Sequence, residues 1–231
     1  MNIIVTGASK GIGREVCLKL ADDSRNKVLA IARTEKLLME LAEEAEHKNI
    51  SYMATDLNEA LQTPEKLLND VKRHFESVDN LVNNAGILFN KTLDDISIPE
   101  IRLMTETHFI SPLLLIKTLS KLFNRGSHVV NISSMGGFQG SSKYPGMAVY
   151  SASKAALANL TEGLASEYAK DGIAFNCLAL GAVQTEMLEQ AFPGYKAPVS
   201  ADDMANFISW FSIAGHMFFN GKILPVSVSN P

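Results

Sequence analysis

Residues 150–157 read YSASKAAL, which sets a tyrosine and a lysine four positions apart in a run of small, helix-favouring residues. On a helix, positions i and i+4 are neighbours on one face, so Tyr150 and Lys154 point the same way. A free phenol titrates near pH 10 and can donate a proton at neutral pH. An adjacent ammonium favours the phenolate and lowers the cost of forming it. The pair therefore has the chemistry of a general acid/base, Tyr150, with a cation that tunes it, Lys154. Chance also supplies so short a pattern, so its meaning depends on the rest of the chain.

A second chemical pattern opens the sequence. Residues 3–13 read IIVTGASKGIG: an apolar strand runs into glycines at 7, 11 and 13, and a helical pattern follows. Glycines allow a tight turn and close backbone approach to a pyrophosphate, whose charge then meets the free N–H groups of the helix start. Dinucleotide folds that prefer NAD place an acid against the ribose 2′-hydroxyl about 20 residues further on. Here the second strand ends in Ala32 and Arg33, and Lys10 stands inside the glycine loop. A guanidinium binds a 2′-phosphate in a fork, which a carboxylate would repel. The two cations favour NADP(H) over NAD(H), although Glu35 is only two residues beyond Arg33.

The elements that must hold these groups follow from hydropathy. Short β-rich apolar runs at 2–5, 27–32, 50–54, 80–82, 128–132, 173–178 and 222–226 alternate with amphipathic stretches at 12–21, 35–46, 64–75, 99–123, 150–169 and 201–212. Alternation of this kind predicts an α/β fold with right-handed crossovers, a doubly wound parallel sheet of about seven strands and helices on both faces. A chain of 231 residues suits one Rossmann-type domain over 1–231. The net charge of −4 gives no basic footprint for nucleic acid. No apolar run approaches the ~18 residues of a membrane span. The strand pattern starts directly after Met1, so no signal peptide is expected. Cys17 and Cys177 show neither a disulfide framework nor a metal pattern, and buried thiols in a cytoplasmic protein are expected. His47, His74, His128 and His216 show no metal spacing either, so no metal site is expected.

Six ordered motifs give these features a common context: TGASKGIG (6–13), TDL (55–57), LVNNAG (81–86), NISS (131–134), YSASK (150–154) and FNCLALGAVQTEM (175–187). Each falls at a predicted strand end or helix start, and together they make the chain resemble the classical short-chain dehydrogenase/reductase family over essentially its whole length. The resemblance implies that Gly7, Ser9, Lys10, Gly11, Ile12 and Gly13 cradle the phosphates, with Arg33 at the adenosine ribose. It implies that Asp56 and Leu57 meet the adenine, and that Asn84, Ala85 and Gly86 line the cofactor and brace the sheet. Val183 and Thr185 would hold the nicotinamide amide and a phosphate. Tyr150 would donate the proton, with Lys154 also holding the nicotinamide ribose. Of the two hydroxyls that could polarise a carbonyl oxygen, Ser134 matches the family position better than Ser133. Ser134 lies 16 residues before Tyr150, longer than the usual interval, so the Gly/Ser-rich loop at 136–146 carries an insertion.

The chain also departs from the family. Pro-Gly is replaced by Leu180-Gly181, the closing Asp-Gly-Gly by VSVSNP, and an asparagine of the fourth helix by His108 in TETHFISP. In the family that asparagine holds a water linking the lysine to solvent. Three roles are open to His108: replacing the asparagine in a proton relay, being an inert core histidine, or marking a broken relay. Substrate specificity would reside in 186–199, where Met187, Leu188, Phe192 and Tyr195 could touch a small carbonyl compound. The family pairs its long helices across a two-fold axis, so a homodimer or homotetramer is expected. The expected function is an NADPH-dependent oxidoreductase that reduces a ketone, aldehyde or 3-oxoacyl carbonyl. The alternative is a cofactor-binding regulator without catalysis.

Overall fold

The structure, a computed structural model, describes residues 1–228, so the last three residues of VSVSNP lie outside it. The chain runs β1 (Asn2–Thr6), α1 (Gly11–Ala21), β2 (Lys27–Ala32), α2 (Glu35–Glu44) and β3 (Ile50–Ala54). Then come α3 (Leu57–Ala60), α4 (Pro64–Lys72), β4 (Val78–Asn83), α5 (Ile98–Thr105), α6 (Ser111–Leu119) and β5 (Phe123–Ser134). The last third holds α7 (Ala148–Glu167), β6 (Ala174–Leu180), β7 (Val183–Gln184), α8 (Glu186–Ala191), β8 (Val199–Ser200), α9 (Ala201–Ala214) and β9 (Lys222–Val226).

Seven strands form one sheet in the order β3-β2-β1-β4-β5-β6-β9, every pair parallel, as the alternating pattern predicts. Their near-continuous apolar runs are what a sheet covered on both faces requires. Ile3 and Val5 of β1 face a core shared with Val16 of α1, Leu38 of α2 and Phe211 of α9. Ile4 between them faces the opposite core with Val71 of α4, Ile116 of α6 and Leu164 of α7. The strand order reverses between β1 and β4, and ligands of such sheets gather beyond the carboxyl ends at that point. TGASKGIG follows β1 and NNAG follows β4, so the two motifs meet there.

One long helix over 99–123 is expected from the hydrophobic period, and the structure corrects this. The segment divides into α5, a wide π turn at Glu106–Ile110, and α6, and Phe123 already opens β5. Proline at 112 has no N–H to return to the carbonyl of His108, which removes one helical bond. Ser111 N–H instead reaches back five residues to the Glu106 carbonyl. Asn58 of α3 straddles the turn: its amide nitrogen donates to Thr107 Oγ1 (3.2 Å) and its oxygen accepts from Ser111 Oγ (2.7 Å). Widened turns of this type recur at functional positions, and this one carries His108.

At the opposite, amino-terminal end of the strands, buried His128 of β5 is held between two partners. Its Nδ1 lies 2.9 Å from the Ser212 carbonyl and its Nε2 lies 3.0 Å from the amide nitrogen of Asn176. A carbonyl only accepts and an amide NH₂ only donates, so the ring is the neutral Nδ1–H tautomer. Burial pushes its pKa down to about 4, despite the bond to Ser212. Between roughly pH 6.5 and 4 the unfolded chain therefore binds a proton that the folded chain does not, and stability falls as the pH falls, by up to ~1.4 kcal/mol per pH unit. Denaturant titrations at pH 7 and pH 5 should show His128→Gln losing less stability on acidification than the parent chain. Equal losses would mean that His128 is not held neutral.

Candidate active site

The glycine loop is built to exclude side chains. A Cβ at Gly7 would lie 2.7 Å from Ala85 Cα, and one at Gly13 would lie 2.4 Å from both the Gly7 carbonyl oxygen and Asn84 Nδ2. Gly7 and Gly11 also have positive φ, +67° and +53°, which L side chains adopt at a cost. NNAG presses directly on this loop. Asn84 Nδ2 donates to the carbonyls of Thr6 (3.1 Å) and Gly7 (3.3 Å), while the amides of Asn84 and Ala85 donate to Thr6 Oγ1 at 3.0 and 3.1 Å. Helix α1 begins at Gly11 with no side chain capping its first amides. Orphan N–H groups at the head of an 11-residue helix, above a cradle that Cβ atoms would fill, fit a pyrophosphate.

The other expected cofactor contacts surround this cradle. Ser9 is half-buried in the loop, and Ile12 packs against the core under α1. Lys10 reaches across to Glu186 at the start of α8 (2.7 Å), and Arg33 lies 3.9 Å from Asp56. Asp56 also caps α3 by accepting from the Asn58 amide (2.9 Å), while Leu57 packs on the core. Val183 is buried on β7; Thr185 caps α8 by accepting from the Leu188 amide (3.2 Å), and its methyl group is 3.4 Å from the Cβ position of Gly11. In place of Pro-Gly, Leu180 stays in β6, and Gly181 N–H closes onto the Val226 carbonyl at 2.9 Å.

Beyond the end of β5, Ser134, Tyr150 and Lys154 converge as expected. The Ser134 hydroxyl stands on the Tyr150 side chain's side of the site and favours the ionised phenol. Ser134 Oγ accepts from the Gly136 amide at 3.1 Å. Burial raises the Tyr150 pKa, and Ser134 pulls the other way, so the phenol keeps its proton at neutral pH. Lys154 is 4% exposed and donates to the Ile132 carbonyl at 2.8 Å. Burial lowers its pKa to about 8. Ser133, the competing hydroxyl, is turned inward and donates to the Lys154 carbonyl at 2.9 Å. His108 is fully buried beneath the same site, its ring edge-on to that of Tyr150 at 5.3 Å between centroids.

Several positioning residues lie outside the expected set. Asn83 Nδ2 donates to Asn131 Oδ1 (2.8 Å), Asn131 Nδ2 to Thr161 Oγ1 (2.9 Å), and Thr161 Oγ1 to the Leu157 carbonyl (2.9 Å). This buried chain ties β4, β5 and α7 together below the site. Its signal in the sequence was an asparagine inside each of two apolar strands, VNNAG and VNISS. Lys143 holds the inserted loop by donating to the carbonyls of Gly136 (2.7 Å) and Phe138 (2.8 Å) and to Ser141 Oγ (2.7 Å). Asn90 donates to the Ala191 carbonyl (2.9 Å) and so anchors the end of α8. Among the described residues, no group of three or more His, Cys, Asp or Glu side chains is placed to hold a metal ion, and no helix is long and apolar enough to cross a membrane.

A sequence profile described as short chain dehydrogenase matches residues 1–196. The chain belongs to the short-chain dehydrogenase/reductase family. An oxidoreductase of Staphylococcus saprophyticus is 30% identical over 206 residues, 87% of this chain and 86% of that protein. A 3-oxoacyl-[acyl-carrier-protein] reductase of Staphylococcus aureus is 33% identical over 189 residues, 80% and 76% of the two chains. Among solved structures, a dehydrogenase/reductase from Sinorhizobium meliloti superposes with a TM-score of 0.84 at 25% identity, over 97% of this chain and 92% of the other. A short-chain dehydrogenase from Burkholderia cenocepacia, solved in complex with NADP, shares the fold with a TM-score of 0.85 at 24% identity, covering 97% and 95% of the two chains.

Within this short-chain dehydrogenase, Gly13 gives the most direct test of the cradle, because the atoms a methyl would strike include backbone. Gly13→Ala should weaken dinucleotide binding by ~10-fold or more, as overpacking of 1–3 kcal/mol displaces Gly7 or Asn84. Fluorescence titration with the dinucleotide measures this. Unchanged affinity would show that the loop does not hold the phosphates.

Proposed function

We propose that this short-chain dehydrogenase reduces a small carbonyl compound, a ketone, aldehyde or 3-oxoacyl group, with NADPH. The observation that carries the proposal is that Tyr150 and Lys154 lie one helical turn apart on the same face of α7, with Ser134 beside the Tyr150 hydroxyl. When bound, the reduced nicotinamide supplies the hydride to the carbonyl carbon. The chain's own residues handle the oxygen. Ser134 donates a hydrogen bond where negative charge develops. Tyr150 transfers its proton to the forming alkoxide. The resulting phenolate is stabilised by the Lys154 ammonium, and in the reverse direction it accepts the alcohol proton. Lys154, with its pKa lowered to about 8, is charged at neutral pH and loses that charge as the medium becomes alkaline.

NADPH is preferred on the strength of Lys10 and Arg33. Both are exposed and, among the described residues, paired with the acids Glu186 and Asp56. Such pairs contribute about 0–1 kcal/mol, so a doubly charged 2′-phosphate can recruit both cations. The B. cenocepacia relative in the fold, solved with NADP, supports the same choice. The 33% identity to a 3-oxoacyl reductase makes the 3-oxoacyl thioester the first substrate class to test. A homo-oligomer fits the exposed apolar side chains of Trp210 on α9 and of Met217 and Phe218 just after it.

Following loss of reduced-nicotinamide absorbance over a panel of carbonyls, Tyr150→Phe should lower turnover by ~10²–10⁴-fold, the usual contribution of a positioned acid. Ser134→Ala should lower it by ~10²-fold. The reduction rate should decline above roughly pH 8 as Lys154 is deprotonated. Lys10→Ala with Arg33→Ala should cost ~10-fold or more in NADPH affinity and weaken NADH binding much less. Faster oxidation of NADH than NADPH by the parent chain would overturn the cofactor choice. Tight NADPH binding with no turnover on any carbonyl would favour the regulator reading instead.

A further inference from the structure

His108 is a buried titratable side chain at the site that the proposed chemistry does not use. Two independent hydrogen bonds define its state. The Ile87 backbone N–H, which can only donate, points at Nε2 from 3.1 Å. Nε2 therefore carries a lone pair and no proton. On the other side Nδ1 lies 2.8 Å from Ser153 Oγ. Ser153 has a single proton and gives it to the Tyr150 carbonyl at 2.8 Å. Its oxygen must then accept, which requires a proton on Nδ1. Both ends demand the same neutral Nδ1–H tautomer.

The surroundings agree. His108 is 0% exposed, and the charged group acting on it is Lys154 of α7. The titratable side chain in ring contact is Tyr150, also of α7, edge-on at 88°. From the end of β4, Gly86 and Ile87 present only backbone and apolar groups. A Cβ at Gly86 would lie 3.4 Å from His108 Nε2 and 3.6 Å from Lys154 Nζ, so ring and ammonium share one wall. Burial first, and then the lysine charge, hold the imidazole pKa down to about 2. A proton on Nε2 would also set two N–H groups against each other.

We propose that His108 is a positioning residue: a permanently neutral Nδ1–H imidazole that clamps the start of α7 to Ile87, holds the Tyr150 ring edge-on, and relays no proton during turnover. The hydrogen-bond chain Ile87–His108–Ser153–Tyr150 ends on a carbonyl, which has no proton to pass on. Both ring nitrogens are occupied by protein groups, so neither is free to hold a relay water. Proton exchange at Lys154 consequently takes a path that avoids His108. The role assigned to Tyr150 rests on the function proposed above; the tautomer does not.

Long-range ¹H–¹⁵N correlation spectra of the histidine-labelled chain read the ring directly, whether or not it turns over. The expected result is one neutral Nδ1–H pattern for His108, unchanged from roughly pH 5 to 9, the range in which a free imidazole titrates. A titrating ring, or the Nε2–H tautomer, would overturn the proposal. In activity assays, His108→Asn and His108→Gln should lower kcat by ~10-fold through displacement of Tyr150, with the KM for the dinucleotide and the shape of the pH profile kept. A variant that loses or moves the pH profile would show that His108 does exchange protons. Absence of turnover in the parent chain would count against the proposed reaction and leave the spectroscopic result standing.

Discussion

A cation held inside the protein without a carboxylate is the constraint on which this structure turns. Lys154 is buried, its ammonium meets the Ile132 carbonyl, and among the described residues none of its contacts is an ion pair. Removing an ammonium from water costs several kcal/mol even after relaxation, and the lowered pKa is the visible trace of that cost. The arrangement persists because the helix that carries Lys154 has no freedom to withdraw. A Cβ at Gly137 would lie 2.7 Å from the backbone of Lys154 and Ala155, so the turn after β5 packs against α7 backbone to backbone. The Asn83–Asn131–Thr161 chain fixes the same helix from below, and Ser133 fixes it through the Lys154 carbonyl. The glycine loop, Tyr150 and the segment around α8 are all referenced to that helix and to the adjoining ends of β1 and β4.

Much of this was legible in the sequence because it is local. The predicted strands Lys27–Ala32, Ile50–Ala54 and Lys222–Val226 have the observed bounds, since an apolar run between turn residues leaves few alternatives. The i, i+4 spacing of Tyr150 and Lys154 is realised on α7, and the glycines at 7, 11 and 13 occupy the tight loop they suggested. Each of these features depends on residues within about a dozen positions of one another, and periodicity reports that scale directly.

The remainder was hidden because it depends on contacts between distant segments. Lys10 and Glu186 are 176 positions apart, and nothing in either motif announces that the glycine loop and the start of α8 touch. The break in the 99–123 pattern had a signal, Pro112, yet an apolar face continuous across the break argued for one helix. Only the missing N–H, together with the bridging Asn58, explains why the turn widens where it does. The asparagines inside β4 and β5 look unfavourable for apolar strands until their partner on α7 is placed. His108 could be located by comparison with the family, but its protonation and tautomer follow from Ile87 and Ser153, 21 and 45 positions away.

These two buried groups, Lys154 and His108, constrain each other. An imidazolium next to the shared wall of Gly86 would place a second positive charge against an ammonium that already lacks a counter-ion. Either the lysine would lose its proton or the helix would move, and both would remove the cation that the proposed mechanism sets beside a Tyr150 phenolate. A histidine is compatible with this position only if it is prevented from charging. Burial alone would lower its pKa without choosing a tautomer. The Ile87 amide and the Ser153 hydroxyl make the choice, and the π turn places the ring where it meets both. The widened helix is thus the backbone feature that lets an aromatic base lie beside a buried ammonium while the site keeps a single charge.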